Sequence, residues 1–163
     1  MRELDLYQTK IDDVGLAGIG GLSRLKRLDI ACTNITDAGL VGVRRIKDLE
    51  ELQLGGTEIG DAGLESLADL SKLSTLSLIA TRVTDAGLVH IAKLKGLRVL
   101  YLGDTKITDT GLASLKALHH LTLLGIDGTG VTEAGTSDLR KALPTTEIAT
   151  YRFKGVQMRP GYK

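Results

Sequence analysis

The chain has no tryptophan, one phenylalanine, four tyrosines, two prolines and one cysteine in 163 residues. Aromatic residues make up only 3 % of it, so its core must be built from Leu, Ile, Val and Ala in small, regular units. The single cysteine, Cys32, excludes an intrachain disulfide framework and leaves the redox compartment open. Formal net charge is +1, so no bulk field draws the chain to nucleic acid or to an anionic membrane. No stretch approaches the roughly 18 uninterrupted apolar residues of a membrane span. The opening residues, MRELDLYQTKIDD, carry acids where an export signal places its apolar run, which sets a weak expectation of a cytoplasmic location. The rest of the composition, 42 % hydrophobic and 25 % charged, suits one globular domain over residues 1–163 with a sizeable core.

What the sequence does contain is a repeat. Written in lines of 24, it falls into register without a gap: residues 7–30, 31–54, 55–78, 79–102, 103–126 and 127–150, after a partial strand at 2–6 and before a tail at 151–163. The third position of every unit is Thr: Thr9, Thr33, Thr57, Thr81, Thr105 and Thr129. The ninth is always Gly: Gly15, Gly39, Gly63, Gly87, Gly111 and Gly135. Self-similarity at such a period is the signature of a stacked repeat architecture.

Each unit changes period midway. L-x-x-L-x-L, as in Leu49, Leu52 and Leu54, ends in the alternation of a strand with one buried face. The following T-x-I-T-D-A-G-L-x-x-L-x-x-L spaces its apolar residues about three apart, as in a short amphipathic helix. Thr36, Thr84, Thr108 and Thr132 are placed as helix N-caps, each followed by an acid that the helix dipole favours. Stacked strands lie about 4.8 Å apart and packed helices about 8–10 Å, so the helical side must form the longer arc. The expected architecture is an α/β solenoid, a horseshoe with a parallel sheet on its concave face and short helices on its convex face. Strands are expected at about 3–7, 27–31, 51–55, 75–79, 99–103 and 123–127. The third-position threonines are expected to be buried, with hydroxyls bonded to loop backbone.

The stretch LSTLSLIATRV, Leu73 to Val83, resembles the leucine-rich-repeat signature with Thr in the usual Asn or Cys place. The 24-residue unit with T-x-I-T-D-A-G-L is similar to bacterial repeats of the GALA and F-box-associated type, and LRKALPTTEI at 139–148 resembles the closing unit of such arrays. The resemblance covers residues 2–150 and implies protein–protein interaction. In some relatives that role is the substrate-reading part of a ubiquitin-ligase effector.

No catalytic or metal-binding constellation emerges. His90 falls on an expected helix, and His119 and His120 are neighbours whose side chains diverge. Cys32 is expected to be an inert or half-buried thiol. The column Asp13, Asp37, Asp61, Asp85 and Asp109 lacks the extra carboxylates a calcium ladder needs and is assigned to helix capping. The glycines are 24 apart with no Lys-Ser/Thr after them, so they form no phosphate loop. The fourth position offers Lys10, Arg82 and Lys106, but Asn34, Glu58 and Gly130 break any basic stripe for nucleic acid. No cofactor is expected and no enzymatic activity.

Residues between the strand leucines should face out of the concave sheet in three columns. The first is Glu3, Arg27, Glu51, Thr75, Val99, Leu123 and Glu147; the second is Asp5, Asp29, Gln53, Ser77, Tyr101, Gly125 and Ala149; the third is Tyr7, Ala31, Gly55, Ile79, Gly103, Asp127 and Tyr151. The N-terminal third is acidic, with Glu3, Asp5, Asp29 and Glu51 against one Arg27. The middle is apolar, with Ile79, Val99, Tyr101 and Leu123. Exposed Tyr among aliphatic neighbours is the composition of a binding hot spot. The expected function is a non-enzymatic interaction module whose protein partner, basic or mixed in charge, lies across this sheet. The alternative is a structural or substrate-reading part of a larger protein. Leu4, Leu6, Ile11 and Leu16 open the chain with nothing ahead to cover them, so the N-terminal edge is expected to fray or to pair weakly, head to head, with a second copy.

Overall fold

The strands of this chain can be only as long as its period-two pattern. The middle leucine of L-x-x-L-x-L and the residue on each side of it supply three strand residues, and the next position but two breaks the strand by turning left-handed. In the computed structural model, which describes residues 1–150, the strands are β1 Glu3–Asp5, β2 Arg27–Asp29, β3 Glu51–Gln53, β4 Thr75–Ser77, β5 Val99–Tyr101, β6 Leu123–Gly125 and β7 Glu147–Ala149. They form one parallel sheet in sequence order, and each residue pairs with the one 24 further on, as Glu3 with Arg27 and Leu4 with Leu28. The strands are shorter than the five-residue spans expected. Gln8, Cys32, Gly56, Ala80, Asp104 and Gly128 all have φ between 53° and 69°, which ends each strand soon after its third residue. Only glycine adopts that conformation freely. At Cys32 and Ala80 it is held by the next unit, through Cys32 N–H to Gly55 C=O at 2.8 Å and Ala80 N–H to Gly103 C=O at 2.8 Å.

The helical segments follow at α1 Asp13–Ala17, α2 Leu40–Val43, α3 Asp61–Glu65, α4 Leu88–Ile91, α5 Asp109–Leu115 and α6 Glu133–Ala142, with 3₁₀ turns Asp37–Gly39 and Asp85–Gly87 leading into α2 and α4. The hydroxyls of Thr36, Thr84, Thr108 and Thr132 cap them as expected, accepting from the amides of Ala38, Ala86, Thr110 and Gly135. Between sheet and helices, rows of equivalent leucines make the core. Leu28, Leu52, Leu76 and Leu100 are 1 % exposed or less. Thr33, Thr57, Thr81 and Thr105 are buried, and each donates its hydroxyl to the carbonyl three residues earlier in its own unit, Ile30, Leu54, Leu78 and Leu102, at 2.6–2.7 Å. These bonds therefore close the loop within a unit rather than join one unit to the next.

The joints are made by the aspartate column. Asp61 accepts from Thr84 of the following unit twice, from the amide at 2.8 Å and from the hydroxyl at 2.6 Å. Asp13 with Thr36, Asp85 with Thr108 and Asp109 with Thr132 repeat the arrangement. A hydroxyl 2.6 Å from a carboxylate is a charge-assisted bond, roughly twice as strong as a neutral one. The same threonine caps its own helix, so one side chain ties two units together. The invariant glycine admits the carboxylate. A Cβ on Gly39 would lie 2.6 Å from Asp13 Oδ1, and one on Gly63, Gly87, Gly111 or Gly135 closer still to the aspartate of the preceding unit. The expectation that Ala-Gly thins the helical side acquires here a specific cause.

At the N-terminal edge Leu4, Leu6 and Ile11 are half-buried, while Leu16, counted among the uncovered residues, is fully buried. Glu3 and Asp5 are exposed on edge strand β1. Two copies pairing antiparallel about Leu4 would set Glu3 of each opposite Asp5 of the other, a like-charge contact that weakens such pairing. The tail 151–163 lies outside the described residues.

Two outcomes follow from the joints. Gly→Ala within a helix ordinarily stabilises by about 0.5–1 kcal/mol. Gly111→Ala should instead destabilise by about 1–3 kcal/mol, because the new methyl meets Asp85; a denaturant melt gives the sign. Hydrogen bonds from the Thr132 hydroxyl and amide hold the Asp109 carboxyl below the usual aspartate range, with desolvation opposing them. The folded chain thus binds this proton more weakly than the unfolded chain. The stabilisation is fully present above the ordinary aspartate pKa of about 3.9 and is lost as pH falls through the lower folded value. An NMR titration should place Asp109 below that ordinary value, and Thr132→Val should bring it back up.

Candidate functional site

Alternation along β1–β7 turns the leucines inward and places the first and second columns on the open face of the sheet. Over β1–β3 this face is a cleft of about 140 Å³, lined by Glu3, Asp5, Arg27, Asp29, Glu51 and Gln53 together with Leu4 and Leu28. Four acids against one arginine give these walls a net charge of −3. Arg27 stands between two of the acids, its Nη1 3.5 Å from Glu3 and its Nε 3.6 Å from Glu51. All three side chains are well exposed, so these pairs steer and position more than they stabilise. Gln53 donates to Glu51 at 3.1 Å. Asp5 and Asp29 each accept from the amide two residues on, Tyr7 and Ala31, at 3.0 Å. These turns fix where the two carboxylates stand.

Further along, Val99, Tyr101 and Leu123 are half-buried and adjacent, since Val99 pairs with Leu123 in the ladder and Tyr101 with Gly125. A Cβ on Gly125 would lie 2.9 Å from Tyr101 Cδ1, so the ring leans over the one strand position there that has no side chain. Burial pushes the Tyr101 phenol above its ordinary pKa and Glu51 adds to the shift, so at neutral pH it is a neutral hydroxyl. Ser77, beside Tyr101 in the same column, is only 2 % exposed.

Ile79 departs from the expectation of an exposed apolar neighbour: it is 7 % exposed and belongs to the interior. Its strand ends at Ser77 and the chain turns at Ala80, so the alternation that placed the third column outside has already stopped. Ala31, Gly55 and Gly103 of that column are buried for the same reason, while Tyr7 is half-buried. Tyr151 lies outside the described residues. Sequence reasoning missed the seat that Gly125 gives Tyr101. A glycine beside a tyrosine in the second column was the signal, visible only once the columns were aligned.

Among the described residues no three His, Cys, Asp or Glu side chains are placed to hold a metal ion. Cys32 is half-buried, and burial pushes its thiol above the ordinary value, with a hydrogen bond from Tyr7 opposing and Asp29 adding. No helix among the described residues is long and apolar enough to cross a membrane.

Comparison with known proteins agrees with this geometry. A leucine-rich-repeat family model matches residues 23–43, 47–68 and 96–116. No curated protein sequence matches the chain. Among solved structures, a leucine-rich-repeat protein of Leptospira interrogans superposes with a TM-score of 0.73 at 27 % identity, over 91 % of this chain and 36 % of its own. Internalin C2 of Listeria monocytogenes gives 0.75 at 24 % identity, over 91 % and 60 %. A second internalin from that organism gives 0.65 at 20 %, over 94 % and 48 %. The chain thus spans about a third to three-fifths of the length of these neighbours. Its 24-residue register, its single parallel sheet and its matched segments together give this chain a leucine-rich-repeat solenoid fold.

Proposed function

We propose that the chain is a non-enzymatic interaction module that holds a protein partner across the open, concave face of its sheet. The observation that carries this reading is the continuity of one face, from an acidic cleft over β1–β3 to half-buried Val99, Tyr101 and Leu123 on β5 and β6. A basic or mixed-charge partner fits it, with cations meeting Glu3, Asp5, Asp29 and Glu51 and an apolar group seated by Tyr101. The leucine-rich-repeat fold supports the reading, because its solenoids serve as extended binding surfaces and leave specificity to variable positions. T-D-A-G-L supports assignment to the GALA-like bacterial type. The neighbours' greater length supports a second reading, in which this solenoid is the substrate-reading or supporting part of a longer protein.

The test is affinity capture from the source organism, followed by titration of the captured partner against three chains. Tyr101→Ala should weaken binding about 30-fold or more, the loss that defines a hot-spot residue. Gly125→Ala leaves every exposed functional group in place but displaces the Tyr101 ring, so it should weaken binding as well. Raising salt should slow association, as charge complementarity on an exposed cleft requires. A partner that binds wild type and Tyr101→Ala equally would overturn the reading.

A further inference from the structure

Five aspartate joints link the six repeat units, and one of them lacks its hydroxyl. Asp37 accepts from the Gly60 amide at 2.7 Å, but Gly60 has no side chain to donate to the second carboxylate oxygen. For the same reason α3 is the helix in this series without a side-chain cap, where Thr36, Thr84 and Thr108 cap their own. Nothing in the backbone requires glycine there. Gly60 has φ −122° and ψ −163°, close to Thr84 at −124° and −175°. A Cβ built on Gly60 would meet Asp37 Oδ2 first, at an ordinary contact distance of 3.6 Å. The space and the acceptor for a threonine are both in place.

A second feature falls in the same loop. Residues 55–60 read GGTEIG, three glycines in six, whereas the equivalent loops at 31–36 and 79–84, ACTNIT and IATRVT, have none. Glycine loses more conformational freedom on folding than any other residue, and Gly55 and Gly60, neither at a positive φ, add to the cost of ordering this loop. The sheet and the leucine rows meanwhile run through without interruption, Leu28 to Leu52 to Leu76.

We propose that this joint is a built-in hinge. It divides the solenoid into a short block of β1, α1, β2 and α2 and a longer block from β3 onward. The sheet acts as the continuous strap, and the loop and helix layers part. The acidic cleft straddles the boundary, since Arg27 on β2 reaches Glu51 on β3 across it. Opening the hinge therefore changes the width of the cleft, and a partner seated there would select one setting. The hinge itself does not depend on the proposed partner and is tested without one.

Native-state amide hydrogen exchange on the full chain reads it directly. The amides of Leu6 and Gln8 bond across the first joint, to Asp29 and Ala31. Those of Ile30 and Cys32 bond across the hinge, to Gln53 and Gly55, and those of Leu78 and Ala80 bond across a complete joint, to Tyr101 and Gly103. A hinge predicts that the loop amides of Cys32 and Glu58, the second bonded back across it to Ile35, are markedly less protected than those of Ala80 and Arg82, which bond across complete joints to Gly103 and Ile59. Leu6 and Gln8 bond inside the moving block and Ile30 lies on the strap, so these three keep their protection. Gly60→Thr should raise protection of Cys32 and Glu58 by about tenfold or more, the gain that one added charge-assisted bond gives. Gly60→Ala supplies a Cβ and the same loss of unfolded-state freedom without the hydroxyl, and should give less than half that gain on a logarithmic scale. Asp37→Asn in the Gly60→Thr background should remove most of it. Protection of Cys32 and Glu58 equal to that of Ala80 and Arg82, or equal gains from Thr and Ala at residue 60, would overturn the hinge.

Discussion

A carboxylate that reaches from one unit into the next, and the missing Cβ that lets it in, is the contact on which this solenoid depends. Asp61 and Thr84 show the geometry in full: two donors on one carboxylate, with the threonine also capping α4's leading turn. Because the glycine of the receiving unit must sit where the aspartate arrives, three columns of the repeat are coupled. A substitution in any one disturbs the other two. An inserted residue would misplace all three, which accounts physically for six units in 24-residue register without a gap.

Much of this was legible in the sequence because the units are small and local. Period two gave the strands, period three the helices, and the Thr-Asp pair marked each helix start. Two things were not legible. The aspartates were assigned to their own helices, as their position in a first turn suggests. Their stronger bonds run to a threonine 23 residues away, and only stacking brings the two together. Ile79 was placed on the open face by extending an alternation that a left-handed Ala80 cuts off. Pattern gives the period of an element well and its end poorly, because the end is set by a backbone conformation that here the neighbouring unit imposes.

With the joints fixed by invariant residues, the face of the sheet is free to vary. The first column runs Glu, Arg, Glu, Thr, Val, Leu, Glu without affecting the core behind it, since leucines on the opposite side of each strand carry the packing. That separation lets a repeat fold serve recognition. The acidic cleft and the Tyr101 neighbourhood are differences of surface on a frame that is nearly the same from unit to unit. The exception, Gly60, departs from the frame rather than the surface.

The joint can be measured most directly by a double-mutant cycle on Asp61→Asn and Thr84→Val, with stability taken from denaturant unfolding of the full chain. The two side chains share one charge-assisted bond, so removing both should cost less than the sum of removing each. The predicted coupling is about 1.5 kcal/mol or more. Additivity within about 0.5 kcal/mol would mean that the aspartate column does not join the units, and the account of the fold given above would be wrong.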